Sequence, residues 1–81
     1  MVTKIKFFAF LAEKTGSESR INIAGANSVG ELRDLISSEF PEIALDLSKC
    51  MIAINMEFKQ DEDLLPEEIE EIAVIPPVSG G

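Results

Sequence analysis

Residues 2–11 read Val2-Thr3-Lys4-Ile5-Lys6-Phe7-Phe8-Ala9-Phe10-Leu11, with Ile5, Phe7, Ala9 and Leu11 alternating against Lys4, Lys6, Phe8 and Phe10. A period of two marks a strand, because successive side chains of extended backbone point to opposite faces. One face of this strand is wholly apolar. The other begins with two lysines and continues with two phenylalanines, so the surface turned away from the core carries aromatic rings.

Outward from this strand, Ala12 to Gly16 reads as a short helical turn stopped at Gly16, and Ser19 to Ala24 as a second strand with Ile21 and Ile23 on one face. Ser28 followed three residues later by Glu31 is a capping box: the hydroxyl oxygen accepts from the Glu31 amide, and the carboxylate reaches back to the Ser28 amide. Val29, Leu32, Leu35, Ile36 and Phe40 then recur at helical spacing until Pro41 ends the run. After an apolar connection with Ile43, Leu45 and Leu47, Cys50 to Met56 reads as a third strand, Glu57 to Asp63 as a polar turn, and Glu71 to Ile75 as the last strand. The order predicts an α+β domain over residues 1–75, a mixed sheet of four to five strands with one main helix packed across it. Residues 76–81 continue as an extended tail.

The 81 residues allow one core. At this size roughly 60 to 65% of the unfolded chain's surface is buried on folding. A net charge of −8 repels a phosphate backbone, so no nucleic acid is expected; it suits either solubility or a partner with a basic face. Met1 leads straight into alternating sequence, with no long apolar run, so neither secretion nor a membrane contact is expected. The single cysteine, Cys50, cannot close an internal disulfide, which agrees with a cytoplasmic location. With no histidine there is no imidazole base and no Ser-His-Asp or Cys-His arrangement, which argues against a self-contained hydrolase or zinc enzyme.

The tail carries the chemistry. Pro76 and Pro77 stop the last strand and bias the chain beyond it to an extended path, so the six residues Pro76-Pro77-Val78-Ser79-Gly80-Gly81 reach roughly 20 Å at about 3.3 Å each. Gly80 and Gly81 lack a Cβ, can pass a narrow channel and leave the terminal carboxyl carbon unhindered. A carboxylate is a poor electrophile, so chemistry at Gly81 requires activation, for instance as an acyl adenylate made with ATP. A sulfur nucleophile replacing AMP would leave a thiocarboxylate.

Taken together, Ile5-Lys6-Phe7-Phe8-Ala9, Leu11-Ala12-Glu13, the Ser28 to Phe40 helix, Ile54-Asn55 and the Pro-Pro-Val-Ser-Gly-Gly ending resemble the small-subunit family of molybdopterin synthase, ubiquitin-like sulfur carriers of β-grasp fold. That resemblance implies a non-catalytic, sulfur-donating subunit of a heterotetrameric enzyme. In it, Gly81 is adenylated by an E1-like enzyme, converted to a thiocarboxylate and inserted into a large catalytic subunit. There the sulfur passes to a cyclic pyranopterin monophosphate to form molybdopterin, in molybdenum cofactor biosynthesis. No cofactor is bound by the carrier itself, and ATP is used by the activating enzyme. The chain departs from the family where a Gly-Asp turn usually precedes the last strand: here it reads Leu65-Pro66-Glu67-Glu68-Ile69-Glu70-Glu71.

Phe8, Phe58 and Ile75 are the candidate partner-binding residues of the body: Phe8 and Ile75 fall opposite the core residues Phe7 and Val74, and Phe58 is an aromatic at a turn. Pro76, Pro77, Val78 and Ser79 join them as tail contacts. Cys50 reads as a packed thiol, and the acidic run Asp61 to Glu71 lacks the pattern of a calcium loop, so no metal is expected. Two other functions fit the same terminus: a carrier for thiamine thiazole or transfer-RNA thiolation, and a ubiquitin-like modifier joined to lysines. An interaction module with an inert tail fits the body alone.

Overall fold

The structure, a computed structural model, describes residues 1–77. Its elements are β1 (Val2–Phe7), α1 (Phe10–Thr15), β2 (Glu18–Asn22), α2 (Val29–Glu39), a 3-10 turn (Pro41–Ile43), α3 (Ala44–Leu47), β3 (Met51–Ile54), β4 (Glu57–Lys59) and β5 (Glu71–Ile75). The strands form one mixed sheet in the order β2-β1-β5-β3-β4. β1 and β5 are parallel neighbours, with Ile5 beside Ile72 and Phe7 beside Val74. The other pairs are antiparallel.

Alternation along the strands sends Ile5, Phe7, Ile21, Ile52, Ile54, Ile72 and Val74 to one face, where they pack with Val29, Leu32 and Ile36 of α2 in a common core. Leu11, Ile43 and Leu47 belong to the same cluster, and the Phe7 and Phe40 rings meet edge to face with centroids 4.9 Å apart.

α2 starts where the capping box places it. The Glu31 amide donates to Ser28 Oγ at 3.2 Å, but the Glu31 carboxylate accepts from the Asn27 amide at 2.8 Å, one residue earlier than expected. Ser28 faces Leu64 in a β-bridge whose hydrogen bonds are made by its neighbours: the Leu65 amide donates to the Asn27 carbonyl at 3.0 Å and the Val29 amide to the Asp63 carbonyl at 2.9 Å. The orphan amides of Val29 and Gly30 donate to the carbonyls of Asp63 and Asp61, both at 2.9 Å, so the loop before β5 satisfies the first turn of the helix. A Cβ at Gly30 would lie 3.3 Å from the Asp61 carbonyl oxygen, and glycine allows that approach.

Three expectations need correction. β1 ends at Phe7, not Leu11: Ala9 takes a φ of 54°, the chain turns, and Phe10 and Leu11 enter α1. The apolar connection after Pro41 is helical in two short pieces. The polar turn expected at Glu57 to Asp63 begins with a strand, because Asn55 and Met56, with φ of 51° and 70°, make a two-residue hairpin that returns the chain as β4. Asn55 also braces the loop before β5, since its side chain donates to the Glu68 carbonyl at 2.9 Å and accepts from the Glu70 amide at 2.8 Å.

Met56 is strained and 88% exposed, so its side chain loses little when removed. Met56→Gly should stabilise the domain by about 0.5–1 kcal/mol, since a left-handed residue with a Cβ costs roughly 1–2 kcal/mol and added unfolded-state entropy offsets part of the gain. Urea unfolding checks this, and a lowered midpoint would contradict it.

Candidate functional site

The sheet face turned away from α2 is the second surface defined by strand alternation. Across it, Phe58 on β4 stands beside Ala53 on β3, which stands beside Ala73 on β5 and then Lys6 on β1. One row further toward the end of β5, Met51 pairs with Ile75. Phe8 and Ile75 each come directly after the paired residues Phe7 and Val74. Phe58 is 63% exposed, Met51 47% and Phe8 44%; Ile75 is half-buried, and the small Ala53 and Ala73 lie between the larger side chains.

The structure therefore brings Phe8, Phe58 and Ile75 to one face, as strand alternation indicated for Phe8 and Ile75. Phe58 reaches it from the middle of a strand rather than from a turn. Met51, Ala53 and Ala73 complete the patch and were not expected there. Their alternation along β3 and β5 was readable, but the strand order that joins them to Phe58 was not. Phe10 lies on α1 with Lys14 Nζ 5.7 Å from its ring centroid, a separate cation–π contact.

The patch adjoins the point where the chain leaves the sheet. Ile75 is both a patch residue and the last residue of β5. Pro76 is buried and Pro77 exposed. Val78, Ser79, Gly80 and Gly81 lie outside the described residues.

On the opposite side, Arg33 of α2 ties the approach to β3 in place. Its guanidinium donates to the carbonyls of Leu47 at 2.6 Å and Cys50 at 2.8 Å, and pairs with the Asp61 carboxylate at 2.8 Å. The Cys50 thiol is buried and donates to the Asp46 carbonyl at 3.3 Å. Burial pushes its pKa up, against the pull of the Arg33 charge and with a smaller push from Asp46. A raised pKa keeps the proton on the folded chain after the unfolded chain has lost it. Stability linked to this thiol is then complete below the unfolded thiol pKa and falls as the pH rises beyond it. Cys50 should resist alkylation by iodoacetamide in the native state and react on unfolding; fast native labelling would contradict the packed assignment. Among the described residues no group of three or more His, Cys, Asp or Glu side chains could hold a metal ion, and no helix is long and apolar enough to cross a membrane.

A mixed sheet with parallel first and last strands at its middle, one long helix across one face and an apolar patch on the other defines a ubiquitin-like β-grasp protein. Residues 5–81 match the ThiS family, and the chain belongs to it. It is 34% identical to the molybdopterin synthase sulfur carrier subunit of Dictyostelium discoideum, an alignment covering 96% of this chain and 94% of that one. Among solved structures it is similar to SAMP1, a small archaeal modifier protein of Haloferax volcanii, at 28% identity and a TM-score of 0.74, with both chains covered in full. It is also similar to a chain in the complex of subunits 1 and 2 of the molybdopterin-converting factor from Helicobacter pylori, at 28% identity and a TM-score of 0.64, again with both chains covered in full.

Proposed function

We propose that this chain is the sulfur carrier subunit of a molybdopterin synthase, working in the cytoplasm within a heterotetramer, and that Gly81 is its reacting residue. The similarity to the Dictyostelium subunit along nearly the whole of both chains carries this reading. The sequence Pro76-Pro77-Val78-Ser79-Gly80-Gly81, which follows directly on the patch residue Ile75 at the end of the last strand, supports it. An E1-like enzyme joins the Gly81 carboxylate to AMP from ATP and releases pyrophosphate. A sulfur nucleophile displaces AMP, and the resulting thiocarboxylate enters the large catalytic subunit and donates sulfur to cyclic pyranopterin monophosphate. The apolar patch seats the body on the large subunit, with Pro76, Pro77, Val78 and Ser79 lining the entry path, while acid–base chemistry belongs to the partner. The carrier holds no cofactor of its own.

Intact mass of the protein purified from its own cells tests this reading: a fraction should carry one sulfur in place of one oxygen at the C-terminus. That fraction should convert the pyranopterin to molybdopterin when mixed with the large subunit. Thiocarboxylate that supports thiazole or transfer-RNA thiolation but not molybdopterin formation would assign the carrier to that other pathway. The similarity to SAMP1 favours a second reading as a protein modifier. Conjugates on lysines of other proteins, lost when Gly81 is deleted, would establish it.

A further inference from the structure

The outward sheet face has a charge opposite in sign to the chain that carries it. Beside the apolar patch, β1 and β2 turn Lys4, Lys6 and Arg20 outward with Glu18, and β5 adds Glu71. Three cations thus face two carboxylates on this surface, while the remaining chain holds four cations against thirteen carboxylates. Lys6 is answered: its Nζ lies 3.2 Å from the Glu71 carboxylate, and Glu18 is its register partner on β2. Lys4 has Glu71 as its register partner on β5 and Arg20 directly opposite it on β2, and among the described residues neither Lys4 nor Arg20 forms an ion pair. Like charges opposed across two strands destabilise a sheet. The fold accepts that cost on the face that also exposes Phe8 and Phe58.

We propose that Lys4 and Arg20 form a cationic margin of the docking face, and that the large subunit meets it with carboxylates bordering an apolar socket. This deepens the functional reading above and rests on it. The partner's acidic border pulls the cationic face inward and repels the acidic remainder of the chain, so encounters are turned patch-first before any apolar contact forms. A basic border on the partner would instead attract the opposite side of the domain and leave the patch facing solvent.

Association of the full chain with the large catalytic subunit, monitored by stopped flow or surface plasmon resonance at increasing NaCl, tests the inference. Wild-type association should slow as salt rises. Arg20→Glu should associate about tenfold more slowly at low salt, with the difference closing at high salt. The same variant relieves the repulsion with Lys4, so the free domain should melt a few degrees higher. A better-folded variant that binds worse is an outcome loss of structure does not produce. The doubly neutral Lys4→Gln, Arg20→Gln chain should fall between the two. Unchanged or faster association of Arg20→Glu would overturn the acidic margin while leaving the carrier reading intact; a wild-type chain that fails to bind the large subunit at any salt would overturn both.

Discussion

Deletion of Gly81 is expected to abolish sulfur transfer to the background of the assay while leaving the unfolding midpoint of the domain unchanged. The separation comes from the topology. Among the described residues the core is built from residues no later than Val74 and the last ladder residue is Ile75, so the fold described for residues 1–77 does not depend on residue 81. It does remove the carboxyl group that would be adenylated. Gly80→Val should fail by a different route: the carboxyl remains, but a β-branched side chain blocks a narrow channel and bars backbone angles open to glycine. Mass spectrometry of the terminus, a transfer assay with the large subunit and thermal melts of the three chains separate these effects. Transfer by the truncated chain would sink the assignment of Gly81.

Phe8→Asp and Phe58→Asp are each expected to weaken binding to the large subunit by more than about 2 kcal/mol, roughly a thirtyfold rise in Kd. Aromatic rings at the centre of an interface are the side chains whose loss is felt most. A carboxylate there must be desolvated without a designed partner. Phe58 stands next to Ala53, so its ring rises above small neighbours, and Phe8 approaches from the other side of Ile75. Neither belongs to the core cluster under α2, so circular dichroism should show folded variants. Adenylation survives if the activating enzyme uses other contacts. Titration of the large subunit against wild-type and variant chains decides the matter, and equal affinities would show that this face is not the interface.

The helix and the last strand were legible because each rests on a strong local signal. Ser28 and Glu31 fix the start of α2, Pro41 its end, and two prolines stop β5 after Ile75. β4 was hidden for an equally local reason. Glu57-Phe58-Lys59 is too short and too polar to show alternation, and the turn before it is Asn-Met where Asn-Gly would have announced a hairpin. The early end of β1 was masked by an alanine in a conformation usually left to glycine, which kept the apparent alternation running through Phe10 and Leu11. Leu11 is buried all the same, since its helix covers part of the core, so burial was read correctly from the wrong element. The patch was only half legible because Ala53 and Ala73 carry no signal of their own. Their meaning comes from neighbours three strands wide. The pairing of Lys4 with Arg20 was not legible either, because it depends on the register that sets the two strands side by side.

The position of β5 also governs how the molecule can be made. β1 with β2, and β3 with β4, are two local hairpins that share no edge; β5, last in the chain, is the strand that touches both. A chain growing from its N-terminus thus carries two unjoined half-sheets until residues 71–75 arrive to close them. The hydrophobic side of α2 has no continuous surface to settle on before that moment. Folding is accordingly set by contacts between distant parts of the chain, which slows it relative to a local hairpin fold. A product that stops short of β5 leaves open strand edges and an uncovered core, so it enters aggregation or degradation rather than circulating as a folded decoy that could occupy a partner without a reactive end. Structural completeness and access to the tail are thereby tied to the same five residues.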